Sequence, residues 1–202
     1  MLRLGVLVSG RGSNLQAIID SVENGGLRAK IAVAVSNKAG APALERCRKH
    51  GVESVFLDPK ACPDKGRYDR ALIDLLNAKS ADLVCLAGYM RVLGKEFIQA
   101  FRGRIVNVHP SLLPAFPGLD AQRQALEHGV RVSGCTVHFV EEEVDGGPII
   151  LQSAVPVYPA DDVETLSQRI LEQEHRVYPE AIRLIAEDRL TLSGRRVIIR
   201  ND

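Results

Sequence analysis

Over the first 110 residues, the hydrophobic positions of the chain follow two alternating patterns. Short continuous apolar runs, typical of strands buried on both faces, alternate with segments in which apolar residues recur every three to four positions, as on one face of a helix. Strands alternating with helices predict a parallel sheet with right-handed crossovers. The predicted strands are residues 3–9, 31–35, 52–57, 82–87 and 104–108, and the predicted helices are residues 15–22, 41–50 and 68–79.

After residue 110 the pattern changes. Residues 132–140 and 148–157 are long β-like runs separated by the acidic, glycine-rich stretch 141–147, which predicts an antiparallel hairpin. The longest helical pattern covers residues 161–188, with Asp161 as its predicted N-cap and Pro179 expected to kink or split it. A short helix is predicted at residues 121–128, and a β-like tail at 197–199.

These patterns predict an α/β fold class: three layers, with a mostly parallel sheet in a Rossmann-like first half, then an antiparallel C-terminal hairpin and a long helix. We expect a single domain over residues 1–202, consisting of a nucleotide-binding half (1–110) and a second half (111–202).

The composition excludes several classes of protein. The formal net charge of +1 argues against a general nucleic-acid or membrane surface. The sequence has no 18-residue apolar run and no signal-peptide pattern, so we expect a cytoplasmic protein. The four cysteines are scattered without a Cys-x-x-Cys pair, which predicts buried thiols in a reducing cytosol and neither a zinc site nor a disulfide framework.

A candidate anion site follows the first strand, at Gly10-Arg-Gly-Ser-Asn14. Ser13 and Gln16 have the spacing of a capping box, and free backbone N–H groups at a helix N-terminus attract phosphate. The alternative is a well-capped helix that binds nothing. A dinucleotide fingerprint is incomplete and no Gly-Lys-Ser/Thr follows, so a mononucleotide-sized phosphate fits better than NAD.

A second candidate site lies at the end of the strand 104–108. Asn107 and His109 are two residues apart and should share a face, and Pro110 should end the strand. An amide can stabilise an oxyanion and an imidazole can carry a proton, so this pair suits acyl transfer, although it could also be a structural pair. Asp145 precedes Gly-Gly, where a sharp turn can bring it close to another segment. Because ligands bind beyond the carboxyl ends of parallel strands, we expect residues 10–14, 88–91 and 107–109 to surround one crevice.

Taken together, these motifs resemble the phosphoribosylglycinamide formyltransferases, folate-dependent enzymes of purine biosynthesis. The resemblance covers nearly the whole chain and is carried by Val8-Ser-Gly-Arg-Gly-Ser-Asn-Leu-Gln16, Leu86-Ala-Gly-Tyr-Met-Arg91, Asn107-Val-His-Pro-Ser-Leu-Leu-Pro114, Gly134-Cys-Thr-Val-His-Phe-Val140, Val144-Asp-Gly-Gly-Pro148 and Gln173-Glu-His175.

The resemblance implies a role for each matching position. Asn107, His109 and Asp145 would be the catalytic trio. Glu174 would bind the ribose hydroxyls, and the substrate phosphate would be held by Gly12, Ser13 and Asn14. The folate would be contacted by Lys65, Met90, Arg91, Val92, Leu93, Asn107, Glu141 and Asp145, within a loop of residues 141–145. Lys65 stands where many members have arginine, and Cys135 where a small or hydroxylated residue is usual. Thr136 would be a supporting hydroxyl and His138 a structural residue.

The implied reaction is direct formyl transfer from 10-formyltetrahydrofolate, the co-substrate, to the amine of glycinamide ribonucleotide, without a metal. Asn107 would bind the tetrahedral oxyanion and protonated His109 would stabilise it, with Asp145 raising the pKa of the imidazole. Small-molecule substrates are the expected partners, with no nucleic acid and no membrane, and the expected state is a monomer or homodimer.

Three alternative functions would require different features of the sequence. A formyltetrahydrofolate hydrolase would use water as acceptor and would carry an N-terminal regulatory domain. A methionyl-tRNA formyltransferase would need a basic C-terminal domain, for which we expect no residues. A non-catalytic nucleotide-binding module would keep the loop 12–14 but would not need Asn107, His109 and Asp145 together.

Overall fold

The computed structural model describes residues 1–200. The strands of this part of the chain are β1 (Leu2–Val8), β2 (Ala29–Ser36), β3 (Ser54–Phe56), β4 (Leu83–Leu86), β5 (Ile105–His109), β6 (Val132–Phe139), β7 (Ile149–Pro156), β8 (Leu190–Ser193) and β9 (Arg196–Ile199). Its α-helices are α1 (Ser13–Glu23), α2 (Pro42–Lys49), α3 (Lys65–Ala78), α4 (Lys95–Ala100), α5 (Ala121–Glu127) and α6 (Val163–Ala186). Two compact units meet in sequence between Val106 and Asn107, within β5. The expected single domain over residues 1–202 stays a prediction, and Asn201 and Asp202 lie outside the described residues.

The first unit has the predicted parallel arrangement. β1 pairs in parallel with both β2 and β4, and β3 pairs in parallel with β2. Most side chains of β1, β2 and β4 are buried, which explains why these strands are continuous apolar runs in the sequence. The alternation of these strands with α1, α2 and α3 confirms the predicted α/β class.

The second unit contains the predicted antiparallel hairpin. β6 and β7 pair from Val132 opposite Pro156 to His138 opposite Ile149. β9 pairs in parallel with β7 at Ile149 and Arg196, and β8 pairs antiparallel with β9. The predicted β-like tail is therefore one arm of a second hairpin, whose other arm, β8, was not predicted.

Helix α6 departs from its prediction at two positions. Its N-cap is Asp162, which accepts a hydrogen bond from the Thr165 N–H at 2.8 Å while the Thr165 hydroxyl accepts one from the Asp162 N–H. Asp161 instead forms an ion pair with Arg169 at 2.7 Å. The helix runs through Pro179 for 24 residues, so the predicted split is wrong. The cost of a proline in a helix is offset here by a fully buried face that includes Tyr178 and Ile182.

All four cysteines are free thiols. Cys47, Cys85 and Cys135 are buried as predicted, but the predicted burial of Cys62 is wrong, because its side chain is partly exposed. Burial raises the pKa of Cys47 to about 11 and that of Cys135 to about 12.

None of the helices between residues 1 and 200 combines the length and apolar character needed to cross a bilayer.

Candidate active site

The predicted anion loop lies in the first unit, between β1 and α1. Gly12 is the N-cap of α1 and has a φ of 71°, which favours glycine. A Cβ on Gly12 would lie 2.6 Å from the Cβ of Ala43, so a side chain would not fit there. This close approach brings the α1 N-terminus next to α2, whose Arg46 Nε donates a hydrogen bond to the Arg11 carbonyl at 2.8 Å.

The predicted capping box at Ser13 is wrong. The helix starts at Ser13, and no side-chain hydrogen bond caps it. The Gln16 side-chain amide nitrogen donates a hydrogen bond to the Asp20 carboxylate at 2.8 Å, and its amide oxygen accepts one from Arg46 at 3.1 Å. The first-turn N–H groups of a helix lack intrahelical partners, and the helix dipole adds a partial positive charge, so a helix N-terminus of this kind suits a phosphate.

The predicted folate segment, residues 90–93, also lies in the first unit. Met90 and Val92 are each 65% exposed, whereas Leu93 is buried. The Arg91 guanidinium lies 4.6 Å from the centre of the Tyr68 ring, and the Met90 N–H donates to the Ser9 hydroxyl at 2.8 Å. The segment thus presents two apolar side chains from a backbone that is fixed by its neighbours.

The start of α3 supports the end of this segment. The Gly94 N–H donates to the carboxylate of the buried Asp69 at 2.8 Å. A Cβ on Gly94 would lie 3.8 Å from Lys65 Nζ, so the predicted folate residue Lys65 lies beside residues 90–94. Burial raises the pKa of Asp69, although the Gly94 N–H and the nearby cations oppose the change.

In the second unit, the structure brings Asn107, His109 and Asp145 together, as predicted. Asn107 and His109 lie on one face of β5, and Asp145 follows the acidic stretch between β6 and β7. The His109 Nδ1 is 3.4 Å from Asp145 Oδ2. The His109 Nε2 donates a hydrogen bond to the Phe116 carbonyl at 2.8 Å, because a carbonyl can only accept.

His138, predicted to be only structural, joins this trio. Its Nδ1 donates to the Phe139 carbonyl at 2.8 Å, so in the neutral ring Nε2 is the acceptor for the Asn107 amide at 3.3 Å. The same Nε2 lies 3.6 Å from Asp145 Oδ1. The ring is 1% exposed. His138 thus links the amide and the carboxylate, and the signal for it in the sequence is an imidazole in a buried strand.

Burial is the largest single influence on the pKa values of His109 and Asp145, but it decides the direction of the shift only for His109. It lowers the pKa of His109, and it outweighs the opposing effects of the Phe116 carbonyl and the Asp145 carboxylate. The Asp145 carboxylate does raise the pKa of His109, as predicted. The predicted overall rise in that pKa is wrong, because burial lowers it more. For Asp145 burial is again the largest influence and raises the pKa, yet His138, the Gly118 N–H and His109 together hold it below its ordinary value. A carboxylate therefore faces an imidazole that favours its neutral form.

The backbone around Asp145 is tightly constrained. Asp145 has a φ of 54°, in the left-handed region, and its Oδ2 accepts a hydrogen bond from the Gly118 N–H at 2.8 Å. A Cβ on Gly147 would lie 1.9 Å from the Phe139 carbonyl oxygen, which only glycine avoids. The predicted folate residue Glu141 is exposed, and its Cγ would contact the same Cβ at 3.4 Å.

Thr136 supports the segment that follows β5, as expected for a supporting hydroxyl. Its hydroxyl donates to the Ser111 carbonyl at 2.7 Å and accepts from the Leu113 N–H at 3.0 Å and from the Gln152 amide at 3.0 Å. The peptide bond between Leu113 and Pro114 is cis.

Replacing Thr136 with valine should lower the free energy of unfolding by about 1–3 kcal/mol, because the buried Leu113 N–H and Ser111 carbonyl lose their partner. Chemical denaturation measures this loss. Thr136→Ser, which keeps the hydroxyl, should lose less, and Thr191→Val on the exposed face of β8 should change little. Equal losses for the serine and valine variants would mean that the methyl group, and not the hydroxyl, stabilises this segment.

Glu174, the predicted ribose ligand, lies on α6 and is 6% exposed. Its charge contributes to the raised pKa of Cys135 on β6, after burial, which is the main cause. No group of three or more metal-ligating side chains suited to a metal ion occurs within residues 1–200.

Comparison with protein families matches residues 2–182 to the model described as formyl transferase. The phosphoribosylglycinamide formyltransferase of Escherichia coli (strain K12) is 44% identical over 191 residues, which are 95% of this chain and 90% of that protein. The trifunctional purine biosynthetic protein adenosine-3 of Drosophila pseudoobscura pseudoobscura is 50% identical over 190 residues, which are 93% of this chain. The chain spans only 14% of the length of that trifunctional relative.

The fold is also that of a solved structure. The crystal structure of glycinamide ribonucleotide transformylase 1 from Symbiobacterium toebii matches with a TM-score of 0.98 and 58% identity, covering 100% of this chain and 95% of that chain.

Proposed function

Since this chain belongs to the formyl transferase family, in the branch of the phosphoribosylglycinamide formyltransferases, we propose that it transfers the formyl group of 10-formyltetrahydrofolate to the amine of 5'-phosphoribosylglycinamide, a step of de novo purine biosynthesis. The observation that carries the proposal is the contact of His109 with Asp145 next to the amide of Asn107. An oriented amide donor and a proton carrier are what acyl transfer to an amine requires.

Asn107 is proposed to stabilise the tetrahedral intermediate that forms when the amine attacks the formyl carbon. Its Nδ2 has two N–H bonds, and in the resting protein one of them is directed at His138 Nε2. The His138 ring thereby fixes the plane of the amide and leaves the second N–H for the oxyanion. A donor fixed before the reaction needs no reorganisation in the transition state.

His109 is proposed to accept the proton that the attacking amine loses and to pass it towards the departing folate nitrogen. Because its pKa is lowered, the ring is mainly neutral at neutral pH and able to accept a proton. Once the ring is protonated, Asp145 lies close enough to stabilise the imidazolium, and the imidazolium in turn stabilises the oxyanion. The family resemblance implied a protonated His109 as the oxyanion stabiliser, whereas this proposal starts from the neutral ring that burial favours.

The binding roles are proposed from the family and from local geometry. Gly12, Ser13 and Asn14 hold the phosphate of the ribonucleotide through the N-terminus of α1, and Glu174 binds the ribose hydroxyls. The folate is contacted by Lys65, Met90, Arg91, Val92, Leu93, Asn107, Glu141 and Asp145. A cytoplasmic location, a monomer or homodimer, and independence of metals, nucleic acids and membranes stay predictions.

Replacing Ser13 with alanine should raise the KM for the ribonucleotide roughly tenfold with little change in kcat, because a hydrogen bond to a charged phosphate is lost in ground and transition states alike. Steady-state kinetics with each substrate varied measures the effect. Ser21→Ala, near the other end of α1, is the matched control and should leave both constants unchanged. A KM that does not respond to Ser13→Ala would remove this hydroxyl from the phosphate site.

The decisive experiment follows the absorbance of a 10-formyl folate with and without glycinamide ribonucleotide. Folate turnover that requires the ribonucleotide, together with a formylated ribonucleotide product, would establish the transferase. Turnover with water alone would instead establish a formyltetrahydrofolate hydrolase. If folded protein bound the ribonucleotide without any turnover, the non-catalytic nucleotide-binding module would be the correct description.

A further inference from the structure

The C-terminal hairpin contacts the stretch of chain that carries Asp145. The turn between β8 and β9 contains Gly194, with a φ of 60°, and Arg195. The Arg195 Nη2 donates a hydrogen bond to the Gly146 carbonyl at 2.7 Å, across 49 residues of sequence. The sequence predicted only a β-like segment in this tail, which lies beyond the residues that match the family model.

A second contact holds the hairpin in the same place. Arg196 pairs with Ile149 where β9 runs parallel to β7. The hairpin is therefore attached both at Gly146 and three residues later, on either side of Gly147 and Pro148. Gly147 itself lies so close to β6 that a side chain on it would overlap the Phe139 carbonyl.

The side chain of Asp145 and the backbone that follows it are thus held by different parts of the chain. The carboxylate is held by the Gly118 N–H and lies near two histidines. The peptide that follows it is held by Arg195. Asp145 needs this support because its left-handed backbone is a conformation that non-glycine residues seldom adopt.

We propose that Arg195 is a positioning residue for formyl transfer: by binding the Gly146 carbonyl, it holds Asp145 in register with His109. The inference rests on the proposed function of this site. Arg195 is exposed and the group it binds is a neutral carbonyl, so its effect on global stability is small. Its effect on geometry is larger, because small displacements of a catalytic carboxylate lower the rate steeply.

Replacing Arg195 with alanine should lower kcat about 3- to 10-fold and raise the KM for the folate, whose proposed loop is residues 141–145, while the KM for the ribonucleotide stays the same. Arg195→Lys keeps a cationic donor and should recover part of the loss. Arg196→Ala is the matched control: it removes the same charge from the adjacent residue but leaves the backbone pairing with Ile149 in place. It should leave all constants unchanged.

A measurement without substrate tests the contact itself. Hydrogen exchange of peptides covering residues 143–148 should accelerate in Arg195→Ala and remain at the wild-type rate in Arg196→Ala. Wild-type kinetics and exchange in the Arg195→Ala protein would overturn the positioning role. Equal losses in the two alanine variants would also overturn it, because they would point to net charge. An inactive wild-type protein would contradict the proposed function instead, and the exchange result would then stand alone as evidence on the contact.

Discussion

Replacing His109 with asparagine is expected to lower kcat by roughly 10²–10⁴-fold with the fold intact. Asparagine is polar and shorter, and it can still donate to the Phe116 carbonyl region, but it cannot accept and release a proton. The loss should appear in kcat and in kcat/KM alike, because the imidazole acts in the transition state. Steady-state assays and the circular dichroism spectrum measure rate and fold separately.

His50→Asn provides the control for this substitution. His50 pairs with Glu23 at 2.8 Å at the surface of the first unit and has no proposed part in the chemistry. Its replacement should leave kcat within about twofold of the wild type. A His109→Asn enzyme with more than a tenth of wild-type turnover would mean that the proton travels by another route.

Replacing Asp145 with asparagine is expected to cost about 10²-fold in kcat and to shift the pH–rate profile to lower pH. The direction follows from charge: the carboxylate favours the imidazolium and raises the pKa of His109, so its removal lets burial lower that pKa further. The part of the pH–rate profile that reflects the titration of His109 therefore shifts to lower pH. Asparagine also tolerates the positive φ at this position, so the backbone is preserved.

Titration of His109 by NMR separates this effect from a loss of structure. The His109 imidazole should titrate at lower pH in Asp145→Asn than in the wild type. Because the pKa of Asp145 is lowered in the folded state, the wild type should also gain stability above the unfolded-state pKa and lose it as pH falls through the folded-state pKa. A pH–rate profile that does not move would show that Asp145 does not act through His109.

Much of the fold could be predicted because its strongest signals are long and periodic. The buried strands of the first unit are continuous apolar runs, and α6 has a clear apolar stripe. Helix α4 was missed because its six residues are too few to show a helical period. Strand β8 was missed for a related reason: most of its short length is exposed, so its sequence lacks a buried face.

Capping residues show where local rules stop being sufficient. Ser13 with Gln16 and Asp161 both fit N-cap patterns, yet the caps are Gly12 and Asp162. In α1 the close approach to Ala43 requires glycine at the cap position. In α6, Asp162 has Thr165 three residues later, which is the spacing of a reciprocal capping box. Asp161 lies one residue too early to form the same pair with Thr165.

In the candidate site, too, some features could be predicted from local sequence patterns and others depend on the folded chain. Asn107 and His109 were predictable because side chains two apart on a strand share a face, and Asp145 because it precedes two glycines. The role of His138 was not, since its contact with Asn107 spans 31 residues and depends on how strands pack. The lowered pKa of His109 was also missed, because burial is a property of the folded chain.

The cysteines give this chain an uneven susceptibility to oxidants and alkylating reagents. Thiolates are the reactive species, and Cys47 and Cys135 are both buried and protonated up to strongly alkaline pH. Cys85 is equally inaccessible, which leaves the partly exposed Cys62, just before α3, as the site where native protein meets such reagents. Chemical damage to the folded molecule would thus begin three residues from Lys65, whereas the other three thiols become vulnerable only when their surroundings open.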